Sequence, residues 1–410
     1  MFRRLLLLTI LATLASVSTY AQEVADTIRI KTRVVFLDAL VKDKKTNLPV
    51  SNLTPENFEV LDDGKPRNIS YFTREGQARK PLALILILDL RQDGAGRFLK
   101  RPEILKVMED ELAKLPQGDE VAIMAIDLFE GEERYWLTDF TNDRTELAAA
   151  LAHVPTLTGP RDDSTTAGLT RMQRQAIADP SQGKPEDIVA TETIRGRGGS
   201  TVTRATRRDG SVDIKRVDKN GKVTIELDGA YDMAAAVRDA TRKAEELRPN
   251  SQLSIVWVSD GIAPIFFEDR DATEQILIRN NVIFNSLTVE MRTLFKFLMP
   301  VGKPVAGWFG LSLYGSAKHL AQRSGGEAIK VGRVKDYGTG LSKIIGNLTA
   351  RYSLGFALAE DEADDGRMHS LEVRVKAKDE KGKNRKLQVS SRQGYYMSST
   401  VTAKAKAVQD

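Results

Sequence analysis

The chain has 410 residues, more than one typical domain and fewer than four, and 41% of them are hydrophobic, enough for a real core. Its net charge is only +5, and the basic residues are dispersed without interleaved aromatics, which argues against nucleic acid as a partner. It has no cysteine, which excludes disulfides, zinc–thiolate centres, a cysteine nucleophile and a lipid-anchor cysteine.

The first residues read MFRRLLLLTILATLASVSTYAQE. Arg3 and Arg4 precede a short apolar run, Leu5 to Val17, and Thr19-Tyr20-Ala21 offers small residues where a signal peptidase reads them. This pattern predicts an export signal over residues 1–21. No later segment is apolar for long enough to span a bilayer, so the mature chain is expected to be soluble, periplasmic or extracellular.

Residues 27–75 read as a small β domain. IRIKTRVVFLDALVKD alternates with Val35, Leu37, Ala39 and Val41 on one face. Thr54-Pro55 reads as a helical N-cap followed by a proline, and Asp62-Asp63-Gly64 as a hairpin turn. Residues 80–350 alternate strand and helix. LALILILD is apolar on both faces, as a central parallel strand is. In RPEILKVMEDELAKL, Ile104, Met108, Leu112 and Leu115 share a helix face. Further strands are DEVAIMAID, ERYWLTDF, SQLSIVWVSDG, NNVIFNSLTV and GEAIKV, with helices between them, so the predicted class is α/β with helices on both faces of a mostly parallel sheet.

The alternation breaks over about 156–226, where Gly, Thr, Arg and Asp dominate. The expectation is a mobile insertion that ends in a β-hairpin about Asn220-Gly221. Residues 351–397 contain further alternating strands, and 398–410 read as a flexible tail.

In open α/β sheets ligands bind beyond the carboxyl ends of the strands, and both Asp89 and Asp260 stand at such ends. Other chemistry finds little support. His153, His319 and His369 lie on separate elements, and none has a second ligand at metal-binding spacing, which argues against zinc. Ser259 lacks the Gly-x-Ser-x-Gly frame of a nucleophile elbow. The glycine-rich Gly196–Thr201 lacks a phosphate-binding lysine. Trp136, Trp257 and Trp308 read as packing residues. The APIFFED and PVAGWFG segments read as covered core, with a partner-binding rim as the alternative.

LTPENFEVLDDGKPRNISYF, ILILD, VWVSDG, AQRSGGEA, YSLGF and HSLEVRVK followed by RQGYY occur in that order. This series resembles the secreted bacterial proteins called VWFA-related, over nearly the whole chain except the insertion. The resemblance implies a von Willebrand factor A-like (Rossmann-like) core flanked by small N- and C-terminal β domains, and a family without an established enzymatic activity.

A domains often carry a metal-ion-dependent adhesion site. An Asp-x-Ser-x-Ser loop, a Thr and a late Asp there surround Mg²⁺, and a partner's carboxylate fills the open position. By the resemblance, Asp89 takes the place of the first Asp and Asp260 of the late one, but Arg91 and Asp93 replace the two serines. Where the Thr belongs, Asp228, Gly229 and Ala230 stand instead. Arg91 puts a fixed positive charge where a hydroxyl should coordinate, whereas Asp89, Asp93 and Asp260 together could form an oxygen cage. The expected site is therefore a degenerate one, with no cofactor, or Mg²⁺ at low occupancy on Asp89, Asp93 and Asp260. The implied function is a non-enzymatic protein-binding module whose partner docks at Asp89, Arg91, Asp93, Asp228, Asp260 and Gly261. Two alternatives stand beside it: a metal-assisted hydrolase using Asp89, Asp93 and Asp260, and a self-assembling envelope protein.

Overall fold

Eight residues whose first seven carry no polar side chain can be stable only where both sheet faces are covered. That is the position of Leu82–Asp89, every residue of which is buried. The computed structural model describes residues 33–74, 80–90, 99–129, 132–157, 188–195, 199–207, 212–228, 233–259, 262–289, 311–359, 362 and 365–397. The expected export signal and the expected tail lie outside these residues.

In chain order the elements begin with β1 (Val34–Asp43), β2 (Phe58–Asp62), β3 (Lys65–Arg67) and β4 (Tyr71–Thr73). Then follow β5 (Leu82–Asp89), α1 (Pro102–Leu112), β6 (Glu120–Phe129), β7 (Glu132–Thr141) and α2 (Arg144–His153). Next come β8 (Ile188–Arg195), β9 (Thr201–Arg207), β10 (Val212–Val217), β11 (Val223–Asp228) and α3 (Met233–Leu247). The central stretch ends with β12 (Gln252–Ser259), β13 (Ile262–Phe266), α4 (Phe267–Arg279), β14 (Ile283–Val289), β15 (Leu311–Tyr314), α5 (Ser316–Ser324), β16 (Ala328–Val331) and α6 (Val334–Thr349). Last are β17 (Tyr352–Ala357), β18 (Met368–Val375), β19 (Leu387–Ser390) and β20 (Gly394–Tyr396).

The core sheet has the order β16-β14-β12-β5-β6-β7. All its neighbours pair in parallel except β6 and β7, which pair antiparallel at one edge. Numbered along the chain, these strands follow the doubly wound order 3-2-1-4-5-6, which reverses direction between β5 and β12. One face packs Ile104, Met108 and Leu112 of α1, Leu147 and Leu151 of α2 and Leu341 and Ile344 of α6 against alternate strand residues such as Leu84 and Leu86. The other face packs Val237 and Ala240 of α3, Leu277 of α4 and Leu320 of α5 against Ile85, Ile87 and Trp257. The four residues expected on the apolar face of α1 and its exit, Ile104, Met108, Leu112 and Leu115, are all buried. At α2 the side chain of Asp143 caps the helix by accepting from the backbone N–H of Thr145 at 2.8 Å.

Two expectations need correction. The β regions at the two ends of the sequence are not separate domains: β1 lies between β17 and β19, and β2 between β18 and β3, so both sheets mix strands from the two ends. Their apolar faces share one core built on Leu37, Val41, Tyr352, Phe356 and Tyr395. Neither set of strands alone could cover its own hydrophobic face, and the pairing closes a two-sheet sandwich. The second correction concerns the insertion. From Ile188 on it is not shapeless, because β8, β9, β10 and β11 form a four-stranded antiparallel sheet. Threonine-rich segments such as TVTRATR favour the pleat without offering a core, which is why composition read them as irregular. The hairpin between β10 and β11 turns at Asn220-Gly221 as expected, and Gly221 takes a positive φ of 81°. Residues 158–187 lie outside the described ones.

The sandwich is tied to the α/β core by buried charge and by two glycines. Gly325 caps α5 in the left-handed region, and a side chain there would meet the backbone N of Arg392 at 2.6 Å. At Gly326 an added Cβ would lie 2.0 Å from the carbonyl oxygen of Phe284. Arg351 donates to the Gly325 carbonyl at 2.6 Å, and Arg392 donates to the Ile278 carbonyl at 3.2 Å. Burial pushes both guanidinium groups down to about 10, although Asp38 acts against this on each. Lys42 of β1 pairs with Glu327 beside β16, and the Glu327 carboxylate also accepts from Asn347 of α6. The glycine pair in AQRSGGEA, Arg351 before YSLGF and Arg392 before QGYY, scattered in sequence, thus meet at this one junction.

Candidate functional site at the carboxyl rim of the sheet

At the point where the sheet reverses its winding, β5 and β12 run side by side in parallel, with Leu88 opposite Val258. Both strands end in a polar residue on the same face. Ala83, Ile85 and Ile87 alternate toward the α3 layer, and Asp89 continues that alternation; Leu253, Ile255 and Trp257 do the same on β12, and Ser259 continues it. Asp89 and Ser259 are both 0% exposed. The Ser259 hydroxyl donates to Asp89 Oδ2 at 2.8 Å. The ladder extends one residue further, because the Leu90 N–H donates to the Ile126 carbonyl at 2.8 Å. A buried carboxylate costs several kcal/mol unless hydrogen bonds replace its water, on the order of 1.5–3 kcal/mol each when one partner is charged. The Ser259 hydroxyl supplies one such bond.

Sequence reasoning placed Asp89 at a strand end on this rim, and the structure puts it there. Ser259 was considered only as a nucleophile and set aside; its role as hydrogen-bond donor to Asp89 was missed. Its position directly before Asp260, at the end of a strand adjacent to β5, was the available signal. Arg91, Asp93, Asp260 and Gly261 lie outside the described residues. Asp228 closes β11, opposite Asp213, in the four-stranded antiparallel sheet rather than in the core sheet.

The donor set for Mg²⁺ is thin on the described side. Asp89 supplies one carboxylate, and one of its oxygens already accepts from Ser259. Two clusters of metal-ligating side chains occur among the described residues, and neither includes Asp89.

Those clusters revise the reading of the histidines. Tertiary folding gives two of them acidic neighbours that sequence spacing did not. His319 of α5 lies 2.7 Å from Glu274 of α4, whose other oxygen accepts from Arg323 at 2.7 Å. Burial works against the Glu274 charge, but these hydrogen bonds outweigh it and hold its carboxyl below the usual 4.5. His369 of β18 lies beside Asp62 and Asp63. His153 stays at the end of α2, its ring nitrogen 2.9 Å from the Thr156 hydroxyl. Trp257 is 1% exposed, as a packing residue should be, Trp136 packs against the same core, and Trp308 lies outside the described residues.

A cleft of about 710 Å³ opens between α5, β16 and the sandwich, lined by Lys318, Arg323, Glu327, Glu372 and Gln393 among others. It shares no residue with the rim. No helix among the described residues is long and apolar enough to cross a membrane.

No protein-family model and no curated protein matches the chain. Solved structures to which it is similar include von Willebrand factor A domains. The VWA domain of SpRpn10 is 10% identical, with 65% of this chain and 94% of that one covered at a TM-score of 0.31. The von Willebrand factor type A protein from Catenulispora acidiphila is 10% identical, with 83% and 73% covered at a TM-score of 0.36. The manganese-loaded TRAP protein of Plasmodium vivax is 10% identical, with 80% and 98% covered at a TM-score of 0.34. The strand order and the two helix layers define the core as an α/β, von Willebrand factor A-like domain.

Proposed function

We propose that the chain is an exported, non-enzymatic binding module that engages a protein partner through the loops leaving the carboxyl ends of β5 and β12. The observation that carries this reading is the buried Asp89–Ser259 bond at the switch point of the sheet. It locks together the two strand ends from which the loops with Arg91, Asp93, Asp260 and Gly261 depart, so those loops start from a rigid base. Such crevices are where open α/β sheets bind their ligands. Arg91, two residues after Asp89 in the sequence, carries a fixed positive charge, and an acidic side chain on the partner is its natural complement. Binding is then direct, without a bridging ion.

The test is retention of envelope proteins from the native cell by the chain lacking residues 1–21, compared with Arg91→Glu and Asp260→Ala variants, with and without EDTA. The expected result is a retained protein that the two variants lose and EDTA leaves in place. Equal retention by the variants removes the rim from the account, and loss with EDTA restores a bridging metal. In parallel, millimolar Mg²⁺ should leave the melting temperature unchanged, since an ion bound only by the folded state would raise it.

A further inference from the structure

The hairpin turn between β2 and β3 meets the start of β18 in the sandwich, and six ionised side chains and a histidine crowd together there. Asp63 and Gly64 both take positive φ, 47° and 79°, as a two-residue turn with Asp62 opposite Lys65 requires. The turn is pinned to β18 by two bonds with Ser370: the Asp63 N–H donates to its carbonyl at 2.9 Å, and Asp63 Oδ1 accepts its N–H at 2.8 Å. This presents Asp63 Oδ2 and the buried Asp62 to the ring of His369.

His369 is 5% exposed and stacks on Tyr395, with ring centroids 5.0 Å apart and planes inclined by 25°. Its Nε2 lies 3.3 Å from Asp365 Oδ1. Its Nδ1 lies 3.0 Å from Asp63 Oδ2 and 3.8 Å from Asp62 Oδ1. Asp62 Oδ2 is fully used: it accepts from Arg67 at 2.8 and 3.0 Å and from the Tyr395 hydroxyl at 3.1 Å. Asp62 Oδ1 is buried and has no hydrogen-bond donor at all. Leaving a buried carboxylate oxygen without a donor costs about 1–3 kcal/mol or more and calls for a reason.

We propose that Asp62 Oδ1, Asp63 Oδ2 and His369 Nδ1 form a binding site for one divalent transition ion of the zinc type. Three features point the same way. The first is orientation. In the tautomer whose Nε2–H donates to Asp365, the Nδ1 lone pair of His369 lies within 3.8 Å of two carboxylate oxygens, and the three acceptor atoms lie within 4.8 Å of one another. A histidine ligand whose other nitrogen donates to a carboxylate is the usual second layer of a metal site.

The second is spacing. Ligand atoms ~2 Å from a tetrahedral zinc stand about 3.3 Å from one another, and the separations of 3.0 and 3.8 Å bracket that value. The third is charge. Among the described residues, Asp62, Asp63, Glu362 and Asp365 form ion pairs with Arg67 and Arg367, which sets four carboxylates against two guanidinium groups. With a neutral His369 the group is short by two positive charges, which one divalent ion supplies. A proton on Nδ1 would satisfy Asp63 but leave Asp62 Oδ1 without a donor, whereas an ion serves all three atoms. Arg367, which lies 2.9 Å from Asp63 Oδ2, is 56% exposed and keeps Asp365 at 2.6 Å as an alternative partner, so it can yield its place. The mixed nitrogen and oxygen donors favour zinc, cobalt or nickel over calcium or magnesium.

The experiment uses the full chain, stripped with EDTA and returned to metal-free buffer. CoCl₂ is titrated while the visible d–d bands are followed, and ZnCl₂ binding is measured by calorimetry. One equivalent should bind, zinc should displace the cobalt spectrum, and the melting temperature should rise with zinc. His369→Gln should weaken zinc binding at least about 100-fold, because ligand loss costs at least as much as loss of a supporting residue. Asp63→Asn, at an exposed turn position where folding is safe, should weaken it about 10-fold or more. Failure to take up one saturable equivalent would overturn the proposal. So would uptake that His369→Gln and Asp63→Asn leave unchanged, or an equal response to CaCl₂. The rim and its partner do not enter this outcome.

Discussion

The α/β core and the β-sandwich hold their side chains in different ways. In the core, apart from the pairing of β5 with β12, each strand pairs with one supplied by a nearby stretch of chain, and the central strand announces itself by a run of apolar residues. In the sandwich several central contacts join the two ends of the sequence: β1 with β17, β2 with β18, Asp62 with Tyr395. The core sets one buried polar pair, Asp89 and Ser259, at the place where the sheet changes direction. The sandwich carries a larger cluster of ionised groups, and it sits where two distant segments are stitched together. A sheet read along the chain shows its ligand-facing rim early; a sheet assembled from both termini hides its chemistry until it is folded.

This contrast can be tested at several points. The largest effect is expected inside the core. Leu86→Ala in β5 removes a fully buried side chain from the central strand and should cost about 2–5 kcal/mol, read by urea denaturation. A smaller loss would mean that the central strand is less essential than its burial implies. At the junction, Gly326→Ala forces a Cβ against the Phe284 carbonyl and should cost about 1–3 kcal/mol. An unchanged midpoint would show that core and sandwich are not held as tightly as the buried Arg351 and Arg392 suggest.

At the rim, Ser259→Ala removes a donor from a fully buried carboxylate, and about 1–3 kcal/mol should be lost. Asp89→Asn in the same background should recover part of it, since an amide needs no charge compensation. The smallest effect is a pH dependence at α4 and α5. The folded pKa of Glu274 lies below 4.5, so the unfolded chain takes up a proton first as the pH falls. Its contribution is present above about pH 4.5 and is lost as the pH drops through the lower, folded value. His319→Gln should flatten that acid limb of the stability curve; an unaltered limb would mean that the His319 bond does not set the Glu274 charge.

Much of this molecule is legible without coordinates. LALILILD can only be a doubly covered strand, Asp63-Gly64 and Asn220-Gly221 can only be turns, and Ile104, Met108, Leu112 and Leu115 recur at the spacing of a buried helix face. These are local properties, because period and turn chemistry are set by neighbouring residues. Asp89 at a strand end followed from the same logic. The strands β8 and β9 were missed because their threonines satisfy the backbone requirement of a sheet without the apolar alternation by which strands are recognised. Ser259, the glycine pair at Gly325 and Gly326, and the neighbours of His319 and His369 were beyond reach for another reason. Each depends on a residue brought from a distant segment, and a sequence lists its residues in one dimension while hydrogen bonds and ion pairs act in three.

Composition, periodicity and turn residues by themselves determined an α/β core, β regions at both ends of the chain and a polar strand end at Asp89. Only the tertiary structure decided that the two β regions are one sandwich, that Ser259 holds Asp89, and that His369 faces Asp62 and Asp63. The physical reason is reach: secondary structure is selected by residues within a few positions of one another, whereas a buried charge must find its partner wherever the packed chain happens to bring one.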